Sequence, residues 1–200
     1  MTKLYGGIDL HANNSVIVLI DEQEQLVSET RTPNDLSNIL LHLRPFQARI
    51  HGLVVESTYN WYWLVDGLME AGYAVHLANT AAIRQYEGLK YTNDHSDARW
   101  LAQLLRLGIL PTGYIYPKED RAIRDLLRKR SQLVRQKTSN LLSIQNLVTR
   151  NTGTALTGNR IKTLTAEAIR DVLPTPDLAL AATSTLTVMR CVAEQITAIE

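Results

Sequence analysis

The chain has 200 residues, 45% of them apolar, with 21 Lys/Arg against 20 Asp/Glu and a formal net charge of +1. That length and apolar share suit one full domain plus an appendage, or two small domains, and exclude a mainly disordered chain. The near-neutral total hides an asymmetry: residues 118–150 hold nine Lys/Arg against three Asp/Glu, net +6, which leaves −5 for the rest. A basic segment on an acidic body suits a polyanionic partner for that segment, and a solvated charged helix gives a weaker version of the same pattern.

Cys191 is the single cysteine, which excludes an internal disulfide and a cysteine-based zinc cluster and fits a buried or incidental thiol in a reducing compartment. The opening MTKLYGGIDL has too short an apolar run for a signal peptide, and no stretch approaches the length of a membrane span. A cytoplasmic protein is expected.

Leu4–Leu10 reads as a strand and Ser15–Ile20 as a second, joined by the turn formers His11–Asn14. Leu26–Thr32 supplies a third, and Asn34 is expected to cap a short helix reaching Leu43. "GLVVE", Gly52–Glu56, reads as a buried strand; a helix from Trp61 to Ala71, ended by Gly72, and a strand over Tyr73–Ala78 follow. A short helix over Ala81–Gly88 precedes one from Asp94 to Leu107, which stops at Gly108 with Pro111 beyond, and the body closes near residue 112.

Lys118 to Arg150 contains no Gly or Pro, and Ile123, Leu126, Leu127, Leu133, Leu141, Leu142, Ile144, Leu147 and Val148 fall at helical spacing, so one long helix is expected. After the loop "NTGTALTGN" come a helix from Ile161 to Val172, a break at Pro174 and Pro176, and a last helix from Asp177 still running at Glu200. The chain reads as stopping mid-element.

Asp94 and Asp97 open the stripe continued by Leu101, Leu104 and Leu105, so two carboxylates point inward, where an unpaired charge is costly. Three antiparallel strands followed by alternating helix and strand is the order of the ribonuclease H-like α/β architecture, in which the first and fourth strands are neighbours. In that arrangement Asp9 and Glu56, each ending an apolar run, meet Asp94 and Asp97 in one pocket. Such an all-oxygen set selects Mg²⁺ or Mn²⁺, and two such ions can clamp the attacking and leaving oxygens of a phosphodiester. The plain alternatives are turn and cap residues, and an acidic helix start favoured by the macrodipole.

His11, two residues past Asp9 on the same side of an extended chain, suits a residue orienting the site, a proton shuttle, or a turn histidine. Tyr59, Trp61, Tyr62 and Trp63 in "STYNWYWL" read as core in preference to base-stacking groups, and His42, His51 and His76 as structural.

"GIDLHANNSVIVLIDEQEQLV", "VVEST", "YTNDHSDARWLAQLLRLGILP" and "LRKRSQLVRQKTSNLLSIQNLVTRNTG" together resemble the DEDD transposases of bacterial insertion sequences, which are related to pilin-gene DNA invertases; the likeness covers residues 4 to 153. The most specific piece is D-x-x-D-A before a leucine-rich helix. A Lys-Thr often precedes that Asp pair in the family, where Tyr91, Thr92 and Asn93 stand here. The resemblance implies an RNase H-like (RuvC-like) catalytic domain over residues 1–112, whose acids Asp9, Glu56, Asp94 and Asp97 hold Mg²⁺ or Mn²⁺, followed by a helical coiled-coil region over 113–200. It further implies cleavage and joining of DNA phosphodiesters, in many members with a structured guide RNA. The C-terminal domain that carries the family's serine nucleophile is expected to be missing.

Arg121, Arg124, Arg128 and Arg135 share one side of the long helix, flanked by Lys129, Arg130 and Lys137, a row that can follow a phosphate backbone without reading bases. The apolar seam of that helix requires cover, either from the segment after Asp177 folding back antiparallel or from a second copy in a homo-oligomer. Two competing readings use the same residues: a junction-resolving nuclease with water as nucleophile, and a non-enzymatic helical module for nucleic acid or protein. An actin-like sugar kinase, which also opens on Gly-Ile-Asp, lacks its second glycine-rich phosphate loop here.

Overall fold

β1 (Leu4–Leu10), β2 (Asn14–Asp21) and β3 (Leu26–Pro33) form an antiparallel meander. The computed structural model describes residues 2–83 and 94–200 and divides into two units, 1–115 and 116–200. In the first unit α1 (Leu36–Leu43) leads to β4 (Ile50–Glu56), which returns parallel to β1; α2 (Tyr62–Glu70) leads to β5 (Val75–Ala78), parallel to β4. α3 (Asp94–Leu107) precedes β6 (Thr112–Gly113), which pairs antiparallel with β5. The six-stranded mixed sheet has the order β3-β2-β1-β4-β5-β6, and the fold is α/β, RNase H-like.

Strand alternation divides the apolar residues between two layers. Ile8, Leu10, Ile17, Leu19, Leu53 and Val55 face α1 and α2, where Ile39, Leu43, Trp61, Leu64, Val65 and Leu68 complete the larger core. On the other face Val16, Val18 and Ile20 meet Ala98 and Ala102, and Val54 and Ala78 meet Leu101, all covered by α3. Trp61 joins the core as expected and Tyr62 and Trp63 pack against it, whereas Tyr59, also expected in the core, is exposed because it stands in the loop before α2.

Two expected elements are corrected, and a third falls mostly outside the described residues. Asp35, not Asn34, caps α1, because the Asn34 side chain is spent on Ser15 Oγ and the carbonyls of His11 and Ala12. A 3-10 turn over Thr80–Ala82 stands at the start of the helix expected over Ala81–Gly88; the remainder of that segment, with Tyr91, Thr92 and Asn93, lies outside the described residues. The helix expected over Ile161–Val172 is two, α5 (Gly158–Lys162) and α6 (Ala166–Val172), because the Thr165 side chain accepts from Ala168 N and starts a new helix.

In the second unit α4 (Lys118–Thr152) is 35 residues long, about 52 Å at the α-helical rise. α7 (Pro176–Ile199) folds back antiparallel along it. Ile144 and Val148 of α4 pack with Ile161, Leu164, Ile169, Ala182, Leu186 and Met189, and Arg130 of α4 pairs with Glu200 just beyond α7. The apolar seam is thus covered in part from within the chain, whereas Ile123, Leu126 and Leu127 near its amino-terminal end remain exposed. Cys191, expected as buried or incidental, is exposed on α7.

Candidate functional site

Asp9 is 3% exposed and lies on the α3 face of β1, two residues beyond Gly7. α3 crosses that face with unusual closeness: a Cβ on Gly7 would fall 1.8 Å from the Ala98 carbonyl oxygen and 2.8 Å from the Ala102 nitrogen. Only glycine leaves room for the helix backbone there. α3 runs back against β1, with Ala98 over Gly7 and Leu105 over Gly52 of β4, so its first turn lies at the carboxyl ends of β1 and β4. Asp94 and Asp97 sit in that turn. Glu56 ends β4 beside Asp9, continuing the register that pairs Ile8 with Val55.

The middle and far end of α3 are fastened to the β2–β3 turn. Arg99 Nη2 donates to the Glu24 carbonyl at 3.0 Å, Arg106 Nη1 donates to the Glu22 carbonyl at 3.2 Å, and Arg106 pairs with the Glu24 carboxylate. Gly108, with φ +69°, then ends the helix.

The four carboxyls interact electrostatically. Burial pushes Glu56 up to about 7, aided by a hydrogen bond shared with Asp9 and by the charges of Asp9 and Asp97. Burial also raises Asp97, as do the charges of Asp9 and Asp94, against a smaller lowering by His11. Asp94 behaves oppositely: the hydrogen bond from Arg31 holds its carboxyl below the usual range, with His11 contributing in the same direction. The pocket therefore carries uncompensated negative charge beside Glu56 and Asp97 and a fixed cation beside Asp94.

Several contributors have no signature in the expected motifs. Arg31 of β3 donates to Asp94 Oδ2 and, through Nη1, to Asn14 Oδ1 at 2.8 Å. Glu29, on the same strand, pairs with His95. Gly7 was readable in principle, since a glycine inside a strand marks a close backbone approach. His11 Nε2 lies 3.2 Å from Asp9 Oδ2 and 3.3 Å from Asp94 Oδ2.

Carboxylate oxygens with one imidazole nitrogen suit a divalent cation. Donor atoms of Asp9, His11 and Asp94 all lie within 4.8 Å of one another, and His11 Nε2 is enclosed without an aligned hydrogen-bond partner. These residues fit such an ion.

On α4 the predicted basic row divides. Arg121 is buried, its Nε donating to the Tyr116 carbonyl at 2.8 Å, so this arginine supports the helix start and does not face a phosphate. Arg124 lies over the Tyr116 ring, 4.7 Å from its centroid, and pairs with Asp125; Arg130 pairs with Glu200 and Lys129 donates to Gln132 Oε1. Arg128, Arg135 and Lys137 have no side-chain partner among the described residues, and α4 contains no acid after Asp125.

A family model described as transposase, of the DEDD type, matches residues 6–152, from β1 through the last residue of α4. The chain belongs to this transposase family. No curated protein matches it. As an insertion-sequence transposase it belongs among DNA-recombining enzymes that are generally dependent on divalent metal, with DNA as partner. No helix among the described residues of this transposase is long and apolar enough to cross a membrane.

Proposed function

We propose that the first unit, residues 1–115, forms the RuvC-like catalytic domain of an insertion-sequence transposase that cleaves and joins DNA phosphodiesters, and that the second, residues 116–200, forms its helical nucleic-acid-binding and oligomerising region. Asp9, Glu56, Asp94 and Asp97 are the catalytic acids and the ligands of Mg²⁺ or Mn²⁺. Bound there, the ions supply the Lewis acidity that activates an attacking oxygen and stabilises a leaving one. The single observation that carries this reading is the docking of α3 on β1 through Ala98 and Gly7, which holds the helix-borne pair at the strand ends bearing Asp9 and Glu56.

Each side chain has a distinct part. Asp9, on the central strand and almost fully buried, is the fixed member about which the others are arranged. Arg31 keeps Asp94 ionised and oriented. Glu56, pushed up to about 7 by burial and the neighbouring carboxylates, is the member whose proton entering positive charge displaces, and Asp97 is raised by burial and the same repulsion. Arg124, Arg128, Lys129, Arg130, Arg135 and Lys137 hold a phosphate backbone, giving affinity without base specificity. Base specificity then comes from elsewhere, which is the role we assign to a structured guide RNA. Exposed Ile123, Leu126 and Leu127 suit contact with a second copy.

The test is nicking of supercoiled and element-end DNA by the chain in Mg²⁺ or Mn²⁺. Divalent-dependent nicking that falls by more than about a hundredfold in Asp97→Asn is expected. Nicking that survives Asp9→Asn and Asp97→Asn equally would remove the acids from the chemistry.

A further inference from the structure

We propose that His11 is itself a donor to a divalent cation shared with Asp9 and Asp94, and that its imidazole makes this position favour Mn²⁺ over Mg²⁺. The inference rests on the reading above that these acids hold cations, and goes beyond it by adding a nitrogen donor from outside the four-acid set.

The geometry is the first support. Donors occupying adjacent corners of an octahedral ion with bonds near 2.1 Å are about 3 Å apart. His11 Nε2 stands 3.2 Å from Asp9 Oδ2 and 3.3 Å from Asp94 Oδ2, so each contact has the length of one octahedral edge. Nε2 is shielded from solvent, yet it has no aligned hydrogen-bond partner. An enclosed ring nitrogen within 3.3 Å of one oxygen from each of two carboxylates has its lone pair satisfied by a cation between them.

The second support is the rigidity of the segment that carries the ring. The His11 amide donates to the Asn14 carbonyl at 3.0 Å. Its own carbonyl accepts from Asn34 Nδ2 at 2.8 Å and from Asn60 Nδ2 at 3.1 Å. Asn34 is fixed in turn by Ser15 and Asn60 by Thr58. Two asparagines that follow different strands thus clamp one backbone carbonyl, and a clamp of this kind suits a ligand more than an ordinary turn residue. Mg²⁺ prefers oxygen and holds its waters, whereas Mn²⁺ stands further along the affinity series for nitrogen donors.

Pulsed EPR on the full chain loaded with Mn²⁺, combined with Mn²⁺ and Mg²⁺ titrations, tests this. The expected result is ¹⁴N modulation from a coordinated imidazole in the wild type, absent in both His11→Asn and His11→Ala. Mn²⁺ affinity should fall about tenfold in these variants, while Mg²⁺ affinity falls less than about threefold. Bound Mn²⁺ without ¹⁴N coupling, or coupling that persists in His11→Asn, overturns the inference while leaving the acids as ligands if Asp9→Asn abolishes binding. Failure of the wild type to bind Mn²⁺, or undiminished binding by Asp9→Asn, overturns both readings.

Discussion

The carbonyl oxygen of Ala98 occupies the space where a side chain on Gly7 would begin, 1.8 Å from the ideal Cβ position. Because the obstacle is helix backbone, Gly7→Ala has to lift α3 from the sheet and carry Asp94 and Asp97 away from Asp9. We expect a loss of more than about 3 kcal/mol in urea unfolding, beyond ordinary overpacking, and loss of any stabilisation by Mn²⁺. Gly52→Ala, which meets only side-chain atoms of Leu105 and His76 at 3.3 Å or more, should cost less than about 1 kcal/mol and keep the Mn²⁺ effect.

Glu56 makes stability fall as pH rises in the absence of metal. Its folded pKa of about 7 exceeds its ordinary value of 4.5, so between these the native state binds more protons than the unfolded one. The stabilisation is complete below the lower value and disappears as pH rises through about 7. The full shift corresponds to roughly 3 kcal/mol; solvent access to Glu56 reduces the expected effect to about 1–2 kcal/mol. Unfolding midpoints at pH 4.5, 6 and 8 should show this slope in the wild type and lose it in Glu56→Gln. Saturating Mn²⁺ should reverse it, since ligands bind metal deprotonated.

Asp94 titrates in the other direction. The Arg31 hydrogen bond depresses its carboxyl, so whatever stability it contributes is present above the ordinary carboxylate pKa and is lost as pH falls through the depressed value. NMR titration of the Asp94 side chain should show its pKa rising in Arg31→Ala, whereas Arg31→Lys should restore part of the depression. An unchanged Asp94 titration in Arg31→Ala would remove Arg31 from the site.

Arginines on α4 should separate into two kinds by salt dependence. Removing Arg128 or Arg135, which have no side-chain partner among the described residues, should lower DNA affinity and reduce the slope of log affinity against log salt by about 1 each. Arg121→Ala should instead lower the unfolding temperature with little change of that slope, because its buried guanidinium serves the Tyr116 carbonyl. Fluorescence anisotropy with a labelled duplex over a salt series distinguishes them.

Much of the first unit is legible because its signals are local. An acid ending an apolar run marks Asp9 and Glu56, and Asp94 to Gly108 carries both ends of α3 in one stretch. Less visible features depend on partners distant in the chain. β6 is two residues long and exists through pairing with Leu77 and Ala78 of β5. Arg31 reaches Asp94 from 63 positions away, and no spacing rule foretells that contact. Asn34 has the composition of a helix cap but is committed to the loop before β2, leaving the cap to Asp35. The regular periodicity of α4 predicted a helix correctly, yet could not show that Arg121 turns inward at its first turn.

Anomalous diffraction from crystals of the chain soaked in Mn²⁺ tests the central claim most directly. The account predicts anomalous peaks bounded by the carboxylates of Asp9, Glu56, Asp94 and Asp97, lost in Asp9→Asn crystals grown under the same conditions. Peaks confined to other surfaces, with these four side chains unliganded at saturating Mn²⁺, would contradict it.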